Sequence, residues 1–142
     1  LVYLAGPIKG LDEEDAKRWR LKVRRAFLKC EGVKAIDPTR GKGTLVDEST
    51  LLTKARHIYA RDLYDVRRCD VLLANFLDVP QNHVIGGGTF WEIGIAHERG
   101  TPIVLCVTED SPYYHPLPFY SAGFVVETLE DGITAVKSLL GV

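Results

Sequence analysis

The 142-residue sequence has no CxxC pair, no HExxH and no clustered Cys/His ligands, so it offers no zinc-binding pattern. It has no serine in a GxSxG elbow, no GxxxxGKS/T phosphate loop and no GxGxxG, which removes support for a serine hydrolase, a P-loop protein and a dinucleotide fingerprint. No apolar run approaches the roughly 20 residues of a membrane span. Net charge is scarce: 18 Lys and Arg against 19 Asp and Glu leave −1, too little positive field to hold a nucleic-acid backbone. Cysteines are few and odd in number, and Cys30, Cys69 and Cys106 each sit in an apolar run, as buried free thiols of a reducing compartment do. A cytoplasmic protein without metal or organic cofactor is expected. At 46% hydrophobic and 26% charged residues, the composition is that of a globular chain long enough for one core, so a single domain over residues 1–142 is expected.

What is present is an alternation. Residues 1–5 (LVYLA) form an apolar run stopped by Gly6-Pro7, a buried strand by length and composition. From Asp12, the spacing of Ala16, Trp19, Val23, Ala26, Phe27 and Cys30 predicts an amphipathic helix closed by Gly32. Val33 to Ile36 is a short strand ended by Asp37-Pro38, and the polar, turn-rich residues 39–50 are a loop. Leu51, Leu52, Ala55, Ile58, Tyr59, Leu63 and Val66 stripe a second helix. Asp70 then introduces VLLANF, continuous enough for a strand covered on both faces. A glycine-ending loop 77–88, a helix from Thr89 to Arg99, a strand 102–107, a long loop 108–122, a strand 123–126 and a helix 129–140 follow. Strand and helix alternate five times, which implies an α/β doubly wound (flavodoxin- or Rossmann-like) domain on a five-stranded parallel sheet, with ligands at the carboxyl ends of the strands. A phosphorelay receiver shares such an alternation, but where its acidic pair would follow the first strand this chain has Gly6-Pro7.

Within that frame, Gly86-Gly87-Gly88-Thr89-Phe90-Trp91-Glu92 lies between strand and helix. Its glycines let backbone amides approach a ligand, and the helix start favours anions. Two readings stand for Glu92. Thr89 and Glu92 are spaced as a capping box; alternatively, Glu92 points into the crevice as an ionised carboxylate able to act as a nucleophile or to stabilise a cation. Asp62 falls on the apolar stripe of its helix, where a carboxylate needs a partner: Arg61, Arg67 or Arg68, or a place at the stripe's edge. Asp70 fits a helix-to-strand turn. Tyr3 is ordinary strand material whose position can bring its hydroxyl to the crevice. Lys9, in Gly6-Pro7-Ile8-Lys9-Gly10, can add charge to a turn that cradles sugar or phosphate.

Tyr3-Leu4-Ala5-Gly6-Pro7-Ile8, then Arg61-Asp62-Leu63 leading into Asp70-Val71-Leu72-Leu73-Ala74-Asn75, then Gly88-Thr89-x-x-Glu92-Ile93-Gly94-x-Ala96, together resemble the nucleoside 2-deoxyribosyltransferase family. The resemblance implies that Glu92 attacks the anomeric carbon, that Tyr3 positions it and that Asp62 assists the departing base. It places Gly6, Pro7, Ile8, Asn75 and Gly88 around the substrate. It also implies a deoxynucleoside and a free nucleobase as substrates, with no nucleic-acid polymer or membrane as partner, in a homo-oligomer. Breaking a C–N glycosidic bond develops oxocarbenium character on the sugar and negative charge on the base, so a carboxylate on one side and a proton donor on the other is the division of labour expected.

The chain departs from the family pattern at Gly86, where an acidic residue for base recognition is common; Asp78, Gln81 and Asn82 are the replacements its loop offers. The asparagine that a neighbouring subunit supplies in the family is not evident in Ser121-Ala122-Gly123-Phe124. Relatives that hydrolyse nucleoside 5′-monophosphates share the core, and Lys9 fits their phosphate site, so an N-glycosidase is the second reading. GGGTxxE also looks like the GGxGTxxE segment of phosphoribohydrolases, without its flanking proline and arginine. A non-catalytic nucleotide-binding module is the third. Phe76, Phe90 and Trp91 are expected to stack a base. Tyr113, Tyr114, Phe119 and Tyr120 are expected either to meet another subunit or to fold over their own domain.

Overall fold

The apolar run that opens the chain becomes β1 (Val2–Ala5), every residue of it buried. The computed structural model describes residues 1–40, 51–84 and 86–142, with the side chains of 51–55 left aside. Most of the loop read at 39–50, and the Leu51, Leu52 and Ala55 part of the second stripe, therefore lie outside the described residues. After β1 come α1 (Glu13–Phe27), β2 (Ala35–Ile36), α2 (Leu51–Arg68), β3 (Val71–Asn75), α3 (Gly87–Glu98), β4 (Ile103–Cys106), α4 (Pro116–Ser121), β5 (Phe124–Val126) and α5 (Leu129–Leu140). All strand pairs are parallel, in the order β2-β1-β3-β4-β5. The chain builds outward from β1 first to one side and then to the other, so the reversal falls between β1 and β3. That is where an open α/β sheet has its crevice, at the strands' carboxyl ends.

Strand alternation divides the core. Val2, Leu4, Val71, Leu73, Val104 and Cys106 point to the layer containing α1 and α5. Tyr3, Ala5, Leu72, Ala74, Ile103 and Leu105 point to the layer containing α3 and the C-terminal end of α2. Glu13, Glu14 and Asp15 in the first turn of α1 and Arg24 and Arg25 in its last complement the helix dipole. Thr128 caps α5 by accepting from the Asp131 amide at 3.1 Å, and Gly141 ends it in the left-handed conformation, φ 71°.

Three sequence expectations are corrected in detail. The buried stripe of α1 is Ala16, Arg20, Val23 and Phe27, with Trp19 only half-buried at its edge. On α2, Tyr59 is exposed, and the inward face past Ile58 is Asp62, Asp65, Val66 and Cys69. The loop 108–122 holds the short helix α4, because His115 accepts from the Leu117 amide and Pro116 sits at the first helical position, where a missing N–H costs nothing. Tyr113 of the same loop belongs to its own core, stacked on Phe76 at 4.4 Å between centroids, while Tyr114 and Tyr120 remain exposed.

Gly132 marks where α5 comes closest to the sheet: a Cβ there would lie 2.4 Å from Cys106 Sγ. Gly132→Ala is expected to lower stability by about 1–3 kcal/mol through overpacking, measured as a lower urea midpoint. A higher midpoint, from the helix-propensity gain of about 1 kcal/mol, would mean that the contact yields.

Candidate active site

Tyr3 leaves the middle of β1 on the α3 side and is wholly buried. Its Oη donates to Glu92 Oε1 at 2.6 Å, a bond between residues 89 apart in sequence. Glu92 sits in the second turn of α3, 8% exposed. Because α3 begins at Gly87 with Gly86 as its cap, Thr89 is inside the helix, and the capping-box reading of Thr89 and Glu92 does not hold. Glu92 faces a phenol from the sheet.

Asp62, 7% exposed on the inward face of α2, acts on the same phenol through its charge. Burial, then the charges of Glu92 and Asp62, push the Tyr3 phenol far above its ordinary range. The consequence is directional: Tyr3 keeps its proton and remains the donor. Asp62 also meets Arg61, whose Nη2 lies 3.3 Å from Oδ1. The pairing with Arg61 expected for a buried carboxylate is present, and the residue is also in the cluster. Arg61 in turn donates from Nη2 to the Pro38 carbonyl at 2.7 Å and from Nη1 to the Arg40 carbonyl at 2.8 Å, tying α2 to the segment after β2.

A second carboxylate on α2, Asp65, is completely buried, but it is bracketed by Arg68 at 2.8 Å and by Arg40. With two guanidiniums on it, Asp65 latches α2 to the loop after β2 and is unavailable for chemistry.

The other residues singled out divide between places. Gly6 and Pro7 are buried in the turn after β1, Ile8 is half-buried and Lys9 is exposed. A Cβ on Gly6 would stand 2.8 Å from the Asn75 carbonyl and 3.0 Å from Trp19, so the turn can lie against the end of β3 only with glycine there. Asn75 is 3% exposed and turned toward the α1 layer, its Oδ1 accepting from the Leu77 amide at 3.3 Å. Pro7 and Asn75 line a groove of about 910 Å³ bounded by Trp19, Asp78, Thr108 and Glu127; Tyr3, Asp62 and Glu92 do not line it. Asp78 and Gln81, the loop's candidates for base recognition, also border this groove. Asp70 lies between α2 and β3, as a turn residue does. Gly86, Gly87 and Gly88 are exposed, with open space around each; the Gly86 amide donates to Tyr113 Oη at 3.3 Å. Of the expected base-stacking aromatics, Phe76 is core, Phe90 is half-buried between Tyr113 and His115, and Trp91 packs on Tyr59 at 4.5 Å. Among the described residues no His/Cys/Asp/Glu group is arranged to hold a metal, and no helix is long and apolar enough to cross a membrane.

Sequence reading missed Arg20, which is wholly buried beneath the β1–α1 turn. The signal was there: position 20 lies on the inward stripe 16-20-23-27, and a cation on such a stripe needs acceptors from elsewhere in the fold.

An all-parallel sheet in this order, with a buried tyrosine bonded to the carboxylate of the helix after the glycine loop, defines a doubly wound α/β domain that carries a phenol–carboxylate pair between sheet and helix. The family model for nucleoside 2-deoxyribosyltransferase matches residues 2–135, and the chain belongs to that family. Among solved structures, it is similar to a conserved protein from Enterococcus faecalis V583, with TM-score 0.66, 18% identity and 96% of each chain covered. It is similar to a 2-deoxyribosyltransferase from Bacillus psychrosaccharolyticus, with TM-score 0.63, 19% identity, and 92% of this chain and 88% of that one covered. It is also similar to a molybdenum cofactor binding protein from Rippkaea orientalis, with TM-score 0.59, 18% identity, and 98% and 96% covered. These likenesses are of fold. Among curated proteins, no sequence matches significantly.

Tyr3→Phe removes the hydrogen bond from the sheet to Glu92 without changing the packed ring. For a carboxylate nucleophile, the expected result is a drop in kcat of about ten- to hundredfold with an unchanged melting temperature, from the loss of a hydrogen bond to a charged group. Full turnover would make Tyr3 a packing residue.

Proposed function

We propose that this protein is a nucleoside 2-deoxyribosyltransferase that works through a sugar ester on Glu92. The observation that carries the reading is the 2.6 Å bond from Tyr3 to a buried Glu92; the charge of a second buried carboxylate, Asp62, acts on the same phenol. In the first half-reaction a Glu92 carboxylate oxygen bonds to C1′ of the deoxynucleoside. The C1′–N bond breaks, its electron pair goes to the base, and Asp62 gives that base a proton. In the second half, Asp62 takes the proton from an incoming base whose nitrogen bonds to C1′, and the C1′–O bond returns its pair to Glu92. Tyr3 orients the carboxylate throughout.

The fold alone does not choose this chemistry, since the neighbour described as a molybdenum cofactor binding protein has it too. A module that only bound nucleotides would have no need of a phenol, a glutamate and an aspartate buried in one cluster. Between transfer and hydrolysis, the exposed Lys9 is the residue of the β1–α1 turn that favours a 5′-phosphate, and a single exposed ammonium is a weak anchor for a dianion. The experiment incubates a deoxynucleoside with a second free base, then repeats the reaction with the corresponding 5′-monophosphate. Base exchange with ping-pong kinetics is expected. Release of base and sugar phosphate from the monophosphate alone would replace the transferase with the N-glycosidase.

A further inference from the structure

Arg61 and Asp62 are neighbours on α2, and consecutive residues of a helix project about 100° apart, so their side chains do not meet by default. Here they do. Arg61 Nη2 lies 3.3 Å and Nε 3.4 Å from Asp62 Oδ1, two donors on one carboxylate oxygen. What turns the guanidinium back along its own helix is the backbone after β2: Nη2 also donates to the Pro38 carbonyl at 2.7 Å, and Nη1 to the Arg40 carbonyl at 2.8 Å. Both carbonyl bonds are shorter than either contact to Asp62. The backbone therefore sets where the guanidinium lies, and Asp62 is held by a group already fixed. A lysine could not take its place, because an ammonium is a point donor on a flexible stem, whereas three acceptors in different directions need the flat fork.

The anchor is itself braced. Asp37 Oδ1 accepts from the Thr39 amide at 2.8 Å and from the Thr39 hydroxyl at 2.7 Å, which folds residues 37–39 into a buried turn. The Arg40 amide donates to the Asp37 carbonyl at 3.2 Å. Ile36, immediately before this turn, is the sheet partner of Tyr3, so the platform starts beside the strand that carries the phenol. Arg40 also holds Asp65, one turn further along α2. The segment 37–40 thus meets α2 twice: the Asp65 latch docks the helix, and the Arg61 fork adds a contact to the carboxylate that the proposed reaction uses.

We propose that Arg61 is a positioning residue for Asp62: a bracket fixed to the Pro38 and Arg40 carbonyls that aims the Asp62 carboxyl at the departing base. The inference rests on the reading of Asp62 as the group that exchanges a proton with the base. Asp62 has other interactions as well, and the bracket needs none of them to be absent. General-acid help requires the carboxyl within about 2.6–3.2 Å of the nitrogen it protonates, and a misplacement of about 1 Å can cost on the order of 10²-fold in rate. A side chain tied to fixed backbone supplies that precision.

The test is a double-mutant cycle on base release from deoxynucleosides, or from their 5′-monophosphates if those are what the wild type consumes, over a series of leaving-base pKa values. Arg61→Met keeps the apolar stem and removes the fork. It is expected to lower kcat/KM by about ten- to hundredfold for nucleosides of unactivated bases, and by less than about threefold where the base leaves readily. In the Asp62→Asn background the same substitution should add less than about twofold, because no proton is left to aim. An arginine that only docked the helix would cost the same factor for every base and in both backgrounds, and that additive result overturns the proposal. If Arg61→Met does not fold, Arg61→Lys, which has the charge without the fork, goes through the same cycle under the same criteria. Failure of both to fold would make Arg61 a folding residue and overturns the proposal as well. The two readings fail apart. A wild type that releases no base, or an Asp62→Asn loss equal for every base, ends the reading of Asp62 and the bracket with it; a base-dependent Asp62→Asn loss with an additive cycle ends the bracket alone.

Discussion

Glu92→Gln is expected to abolish base exchange, by a factor on the order of 10³ or more, while leaving the fold intact. Gln has nearly the same volume, and its Oε1 can accept the hydrogen bond that Tyr3 donates to Glu92. Position 92 lies in the second turn of α3 and does not cap it, so no cap energy of about 1 kcal/mol is at stake. What the substitution removes is the anionic oxygen that bonds to C1′. An amide is too poor a nucleophile to replace it, and it cannot balance an oxocarbenium ion by charge. The thermal midpoint should match wild type, and a 2-fluoro-2-deoxy nucleoside should leave a covalent sugar on wild-type Glu92, found by peptide mass, and none on the variant. Near-native turnover by Glu92→Gln would leave this residue a buried hydrogen-bond partner of the sheet and end the covalent reading.

The sheet was legible because its signals are local. A strand buried on both faces must be apolar throughout, as LVYLA, VLLANF and PIVLCV are, and each lies between turn residues. Helix α4 was not legible, since six residues beginning with a proline give no periodicity; a cap by His115 is visible only once the backbone is placed. Glu92 shows both sides of the same limit. Its type and distance from the glycines were readable, but its role turned on whether the helix begins at residue 87 or 89, a difference of half a turn. Arg20 was hidden by a rule that is usually sound, namely that a charge next to a tryptophan on an amphipathic helix belongs to the rim. The carbonyls of Leu4 and Gly6, brought to it by the β1–α1 turn, and the Asp37 carboxylate at the end of β2 make its burial tolerable.

The structure also separates residues that the sequence placed together. Pro7 and Asn75 open on the α1 side of the sheet, while the Tyr3–Glu92 pair lies on the α3 side. The β1–α1 turn joins the two, since Gly6 packs on the Asn75 carbonyl and follows directly from the strand that carries Tyr3.

Asp62→Asn should then separate substrates by their leaving group. The variant keeps the shape of the side chain and an acceptor toward Arg61, but an amide does not deliver a proton to a departing base. General-acid help contributes most when the leaving base is most basic, so nucleosides of unactivated bases should slow by about 10²–10⁴-fold, whereas those whose base leaves readily as an anion should slow little. A plot of rate against the pKa of the leaving base should steepen in the variant. Asp62 lies next to Arg61 and one helical turn from the Asp65 latch, so a purely structural role predicts a different pattern: an equal loss for every base, with a lower melting temperature. The slope of that plot, measured alongside thermal unfolding, distinguishes a proton donor from an ion-pair partner, because stability cannot depend on which base the substrate carries.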